Sequence, residues 1–138
     1  MIYTSYFGNM RGCLAKRPFL RFCSIAGYSP EWFFDDKKNF KYSNLAPRKE
    51  WWKVWEEKFH DNLQSDKSKT WYEEKYRETV LSKLNPEKVK RELLELSEHY
   101  DVCLLCYETP EKFCHRHIVQ KWFNENGVEC CELNTKSE

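Results

Sequence analysis

The sequence has few glycines and no dominant charge. It contains 4 Gly and 5 Pro among 138 residues, which excludes collagen-like chains and Gly/Pro-rich disordered chains. The formal net charge is only +1, because 23 Lys and Arg nearly balance 22 Asp and Glu. The surface as a whole therefore has no strong field that would attract a polyanion, and nucleic-acid binding would need a local basic patch. Such a patch could form from four residues that precede the first acidic side chain: Arg11, Lys16, Arg17 and Arg21.

Long apolar runs are also missing. No stretch approaches the roughly 18 residues of a transmembrane helix, and the start of the chain does not resemble a signal peptide. We therefore expect a cytoplasmic protein with no membrane partner. The seven cysteines are an odd number, and without an export signal we expect reduced thiols and no structural disulfide.

Aromatic side chains are abundant instead. With 6 Trp, 8 Tyr and 9 Phe, a chain of this length has enough apolar surface to fold as one domain over residues 1–138. Rings with one polar edge favour half-exposed positions in binding clefts. Tyr6, Tyr28 and Tyr42 are therefore candidate substrate-binding residues.

The spacing of apolar residues predicts alternating strands and helices. The predicted strands cover residues 2–7, 19–25, 102–107 and 128–133. The predicted helices cover residues 48–63, 70–84, 86–96 and 109–127, and Asn85 is the predicted N-cap of the third. Gly8 and Gly12 predict a loop after the first strand, residues 64–69 a surface loop, and residues 27–47 an ordered aromatic connection. Residues 102–107 show little alternation, which is typical of a strand buried on both faces of a parallel sheet. The prediction is an α/β fold, a small three-layer structure with a mostly parallel sheet and flanking helices.

Chemistry-bearing residues follow the strand at 102–107. In open parallel sheets, ligands bind beyond the C-terminal ends of the strands. If a helix starts at Thr109-Pro110, His115 faces the sheet and Glu108, and Arg116 lies nearer the rim. A carboxylate can orient a histidine for acid/base work, and a guanidinium can bind phosphate, so these three are the candidate catalytic residues. The alternative is a hydrogen-bonded core histidine next to a surface ion pair between Glu108 and Arg116.

Two cysteines should lie beside these residues. Cys106 and Cys114 are candidate substrate-binding residues, and a cysteine near a helix N-terminus can also be a nucleophile because its pKa is lowered. A small buried thiol in an apolar strand is, however, a common core residue.

Zinc binding is the alternative for the same region. Cys103, Cys106, Cys114 and His117 spell C-x2-C-x7-C-x2-H, which is close to known ligand spacings. Because side chains alternate along a strand, Cys103 and Cys106 should point to opposite faces. We therefore expect no metal and no other cofactor.

Residues 104–116, LLCYETPEKFCHR, resemble the signature of the DUF488 family, in which an apolar strand ending in Cys-x-Glu precedes a Cys-His-Arg helix. Residues 2–6 and 27–30 also look like the family's strand starts, and residues 72–84 look like its middle Tyr-rich helix. The resemblance implies a compact α/β fold in which the two motifs meet at one site. It implies no particular reaction. Residues 11–40 are more aromatic than the family's usual connection, so substrate contacts there do not carry over.

These residues suggest an enzyme that acts on a nucleotide, nucleoside or modified nucleic-acid base. It would hydrolyse a glycosidic bond or a phosphate ester without a cofactor, using Glu108, His115 and Arg116. One alternative is a non-catalytic module that binds single-stranded nucleic acid or a protein through residues 11–40. Another is an adaptor stabilised by zinc.

Overall fold

The computed structural model describes residues 1–109 and 112–133. The strands in this part of the chain are β1 (Ile2–Tyr6), β2 (Arg21–Ser24), β3 (Phe40–Lys41), β4 (Val102–Cys106) and β5 (Cys130–Glu132). The α-helices there are α1 (Met10–Lys16), α2 (Lys49–Lys58), α3 (Asp66–Thr79), α4 (Pro86–Leu96) and α5 (His115–Glu125). The five described strands pair only in parallel, in the order β3-β2-β4-β1-β5. The predicted α/β fold class is confirmed.

Helices cover both faces of this sheet. On one face, Cys13 of α1 packs with Tyr3 and Cys103. On the other face, apolar residues of α2, α3, α4 and α5 pack against Ile2 and Leu104. Every residue of β1 and β4 is buried, as predicted for a strand covered on both sides. These are the three layers that the sequence predicted.

The two central strands create the position of the site. β1 and β4 are neighbours, and Tyr6 at the end of β1 is in register with Cys106 at the end of β4. The chain then leaves β1 towards the face of α1 and leaves β4 towards the face of α5. A point at which neighbouring parallel strands lead to opposite faces is the position where ligands of open α/β sheets bind, at the carboxyl ends of the strands.

Helix α3 begins earlier than the sequence predicts. The hydroxyl of Ser65 accepts a hydrogen bond from the Ser68 amide, so Ser65 caps the helix. The prediction of a loop at 64–69 is therefore wrong from Asp66 onwards, and Thr70 lies inside the helix. The cap predicted for α4 is confirmed, because Asn85 accepts from the Lys88 amide at 3.1 Å.

Helix α5 begins later than predicted. Its first residue is His115, and Cys114 is its extended N-cap, with φ −152° and ψ 148°. The prediction of a helix from Thr109-Pro110 is wrong at Thr109, which is not helical, and Pro110 lies outside the described residues. As a result, His115 and its two neighbours lie at the very start of α5 instead of in its second turn.

Two further segments differ from or refine the prediction. The stretch after β1 forms helix α1 although Gly8 and Gly12 favoured a loop. The connection at 27–47 is ordered, with Phe33 and Leu45 fully buried.

All seven cysteines are free thiols. Within residues 1–109 and 112–133, no helix is both long enough and apolar enough to cross a bilayer.

Candidate active site at the ends of β1 and β4

Two thiols and an imidazole meet where α5 begins. Cys106 is the last residue of β4, and the start of α5 brings Cys114 and His115 beside it. One donor atom from each of the three residues lies within 4.8 Å of the others. All three side chains are buried, and Cys114 is the most exposed at 7%. The cluster therefore lies just beneath the surface at the predicted edge of the sheet.

The orientation of His115 is fixed by two contacts. Its Nε2 lies 2.6 Å from the carbonyl oxygen of Ile25, and because a carbonyl can only accept, Nε2 must donate its hydrogen. The ring also stacks on Tyr76, with centroids 5.5 Å apart. Nδ1 therefore faces Cys114, 3.9 Å from its Sγ, and can exchange a proton with that sulfur.

Cys114 is in an environment that favours its thiolate. Burial raises its pKa, but the hydrogen bonds of Cys106 and His115 and the charge of Arg116 outweigh burial and hold the pKa well below its ordinary value. The N-cap position of Cys114 adds the favourable helix dipole of α5. Burial and the neighbouring Cys114 sulfur raise the pKa of Cys106 well above its ordinary value. The opposite directions of the two pKa shifts favour Cys114, rather than Cys106, as the thiolate of the pair.

Arg116 is a buried structural cation. Its Nε and Nη2 donate to the Glu132 carboxylate at 3.0 to 3.3 Å, and the Thr4 hydroxyl donates to the same carboxylate at 2.6 Å. Its Nη1 donates to the Glu108 carbonyl at 2.6 Å and lies 3.8 Å from the Cys106 sulfur. With 0% exposure, the guanidinium is not a free fork for phosphate, and that predicted role has to be corrected.

Glu108 does not pair with His115 in the part of the chain that the structure describes. The two ring nitrogens of His115 face Ile25 and Cys114, and Glu108 contributes only its backbone carbonyl, to Arg116. The alternative of a surface ion pair between Glu108 and Arg116 is wrong too, because the carboxylate bound to Arg116 is that of Glu132. No local pattern points to Glu132, because this contact arises only when β5 is placed beside β1.

The three candidate tyrosines lie in different places. Tyr6 is buried at the end of β1, with the Arg116 guanidinium 5.9 Å from its ring centroid. Tyr28 is 75% exposed in the loop after β2. Tyr42 is buried beyond β3, and its hydroxyl donates to Glu92 of α4 at 2.6 Å. Tyr6 and Tyr28 therefore lie at the same edge of the sheet as the cluster, whereas Tyr42 is part of the core.

A group of aromatic rings adjoins the cluster. Phe7, Tyr28, Trp32 and Tyr107 form this aromatic wall, with centroid distances of 4.8 Å from Phe7 to Tyr107, 6.1 Å from Tyr28 to Tyr107 and 6.5 Å from Phe7 to Trp32. Trp32 and Tyr107 are about half exposed. Tyr107 directly follows Cys106 at the end of β4, so the wall and the two thiols lie at the same edge of the sheet. The aromatic content had predicted such a surface, but not which rings form it.

Of the four residues in the zinc alternative, the structure brings together only Cys106 and Cys114. Cys103 shares a hydrogen bond with Cys13 on the face of α1, and neither Cys103 nor His117 belongs to the cluster. Among the described residues, the donors close enough to hold a metal ion are Cys106, Cys114 and His115, one fewer than a closed structural zinc site uses. The contact between His115 Nδ1 and the Cys114 sulfur leads us to interpret the cluster as a thiol–imidazole site.

The chain was compared with known families, curated proteins and solved structures. A family model for DUF488-N3a, described as the active DUF488-N3 subclade, matches residues 26–127. None of the curated proteins and none of the solved structures matches the chain. The matched residues cover most of the chain and include the thiols, the imidazole and the guanidinium of the site. The chain belongs to the DUF488 family.

Proposed function

We propose that this protein is an enzyme that hydrolyses a glycosidic bond in a nucleotide, nucleoside or modified nucleic-acid base, with Cys114 as its nucleophile. The observation that carries the proposal is the contact between Cys114 Sγ and His115 Nδ1, with Nε2 held by the Ile25 carbonyl. A nucleophile next to a base that a third group orients is the usual arrangement for covalent catalysis. The proposal moves the chemistry from Glu108 and Arg116 to the thiol–imidazole pair.

The reaction has two steps. The Cys114 thiolate attacks the sugar carbon, the bond from that carbon to the base breaks, and the departing base takes the proton from His115 Nδ1. Water then gives a proton back to Nδ1 and attacks the same carbon, which releases the thiolate. Glu108 follows Cys106 by two residues, and its carboxylate has no hydrogen-bond or ion-pair partner among the described residues. We therefore assign this carboxylate to orienting the water.

The aromatic wall supports a nucleobase as the group that is recognised. Exposed rings stack on bases without depending on their sequence, and one ring of the wall belongs to Tyr107, the residue that follows Cys106. A glycosidic bond is favoured over a phosphate ester because phosphoryl transfer needs unpaired positive charge, and Glu132 already neutralises Arg116. The description of the subclade as active agrees with an enzyme.

Base release from a panel of nucleosides, nucleotides and oligonucleotides with modified bases tests the proposal. We expect Cys114→Ala and His115→Ala to lower the rate by about a hundredfold or more. Cys131→Ser is the matched control, because Cys131 is exposed on β5. Wild-type protein quenched during turnover should carry the sugar on Cys114 in a mass spectrum. Base release by Cys114→Ala at the wild-type rate would overturn the proposal.

The binding module is a second candidate because two of the four rings of the aromatic wall, Tyr28 and Trp32, lie within residues 11–40. Arg17 and Arg21 stack on tyrosine rings, 5.3 Å and 3.9 Å from the ring centroids, and keep their charges near the surface. This candidate predicts salt-sensitive binding of single-stranded nucleic acid that falls when both arginines are replaced and is unchanged in Cys114→Ala. If binding and turnover are lost in the Cys114 and His115 variants but kept when both arginines are replaced, the result supports the enzyme.

A further inference from the structure

We propose that Cys114 is a site of reversible oxidation and that Cys106 is the thiol that captures its oxidised form as a disulfide. As regulation of the active site, this inference rests on the proposed function. The chemistry of the two sulfurs is independent of that function and can be measured without a substrate.

The positions of the two sulfurs give them different roles. They lie within 4.8 Å of each other, and Cys114 is 7% exposed whereas Cys106 is 1% exposed. An oxidant therefore reaches Cys114 first. Cys106 is held in a paired strand, while Cys114 is an extended residue before the first turn of α5. A small movement of Cys114 can thus bring the two sulfurs to bonding distance.

Two neighbouring groups assist the oxidation. His115 Nδ1 faces the Cys114 sulfur at 3.9 Å and can supply a proton to a leaving oxygen. Arg116 Nη1 lies 3.8 Å from the Cys106 sulfur and provides positive charge beside the second thiol. A thiol that lies beside donor groups and next to a second cysteine is typical of redox-sensitive sites.

The oxidant is a hydroperoxide, and the reaction balances in two steps. The Cys114 thiolate attacks one peroxide oxygen, the oxygen–oxygen bond breaks, and the leaving alkoxide or hydroxide takes the proton from His115. The product is a sulfenic acid at Cys114. The Cys106 sulfur then attacks it, the sulfur–oxygen bond breaks, and hydroxide leaves with the Cys106 proton as water. A dithiol reductant reverses the change by thiol–disulfide exchange.

A second thiol pair in the same chain is a matched comparison. Cys13 and Cys103 also share a hydrogen bond, but both are 0% exposed beneath α1. Burial keeps hydroperoxide away from them, so this pair should stay reduced under conditions that oxidise Cys114. Cys131 is the exposed comparison, and its pKa is raised by burial and by Glu129.

The experiment treats the reduced full-length protein with equimolar hydrogen peroxide, blocks free thiols and maps the peptides by mass spectrometry. We expect a disulfide that joins the peptide of Cys106 to the peptide of Cys114 and disappears with dithiothreitol. Cys106→Ser should instead accumulate a dimedone-reactive sulfenic acid at Cys114. Oxidation of Cys114 should be about tenfold or more faster than that of Cys131, because each pKa unit changes the thiolate fraction about tenfold.

Three outcomes would overturn the inference: a reduced Cys114 after the treatment, a disulfide between Cys13 and Cys103 instead, or a Cys106 disulfide that still forms in Cys114→Ser. The wild-type map decides the matter even if a variant fails to fold. If Cys114 resists peroxide while its alkylation still abolishes base release, the redox inference fails and the proposed function stands. If the disulfide forms but Cys114→Ala keeps full turnover, the proposed function fails instead.

Discussion

At the scale of single residues, the position of the hydrogen on the His115 ring determines which ring nitrogen can exchange a proton with Cys114. Because the Ile25 carbonyl requires a hydrogen on Nε2, the other nitrogen is left to face Cys114. Without that carbonyl, the imidazole could turn either nitrogen towards the sulfur. A backbone atom of the loop after β2 thus determines which ring nitrogen of His115 can exchange a proton with Cys114.

We predict that Cys114 reacts with iodoacetamide at neutral pH at a rate that falls only in acid. Its pKa is held well below 9.0 by Cys106, His115 and Arg116 against the effect of burial, so the thiolate persists as the pH drops. Cys131 has a raised pKa and should react faster as the pH rises through the alkaline range. Peptide mapping of a pH series measures both rates. A Cys114 rate that still climbs with pH in the alkaline range would contradict the lowered pKa.

We predict that the titration of His117 lowers the free energy of unfolding as the pH falls. Burial and the charge of Arg116 lower its pKa below 6.5, so the unfolded chain takes up the proton first. The stability from this group is present above about pH 6.5 and is lost as the pH falls through the folded-state pKa. His117→Asn removes the titration, and its free energy of unfolding should fall less than that of wild type between about pH 7 and pH 5. The exposed His60, replaced by Asn, is the control in urea unfolding.

At the scale of secondary-structure elements, the ion pair between Arg116 and Glu132 connects the start of α5 to β5 across β1. Thr4 of β1 donates to the same carboxylate, so one ion pair holds three elements together. This attachment holds the first turn of α5, and therefore Cys114 and His115, against the end of β4.

We predict that Glu132→Gln destabilises the protein by about 3 kcal/mol, because it leaves a buried guanidinium without its counter-charge. The Arg116 side chain is 0% exposed and that of Glu132 is 17% exposed, so solvent screening is weak. Urea unfolding measures the change, with Glu129→Gln at an exposed position as control. A loss no larger than that of the control would mean that the ion pair contributes little. Replacing both partners with apolar residues should recover part of the loss.

The boundaries of α3 and α5 show where local signals are insufficient. Ser65 and Thr70 are both acceptable N-caps, and the polar residues between them hid the first turn of α3. Thr109-Pro110 is a strong local start signal, yet α5 starts at His115. Capping preferences differ by about 1 kcal/mol, so tertiary contacts such as the Arg116 ion pair outweigh them.

The order of the strands determines stability across the whole molecule. β1 and β4 are central and fully buried, whereas β3 and β5 lie at the edges. We predict that amides of β1 and β4 exchange their hydrogens most slowly, since their exposure needs global unfolding. Hydrogen-exchange mass spectrometry should show edge peptides of β3 and β5 exchanging much earlier. Equal protection of edge and central strands would contradict the pairing order.

The sequence by itself determined the α/β class, the buried strand at 102–107, the cap at Asn85 and the region of the site. Each depends on a local pattern, namely apolar spacing, a capping side chain, or residues that follow one strand directly. Only the tertiary structure decided that Cys114 faces His115, that Arg116 binds Glu132, and that Glu108 does not pair with the imidazole. Those contacts join residues that lie far apart in the chain or depend on where α5 begins, and strand order, which no local pattern encodes, brings them together.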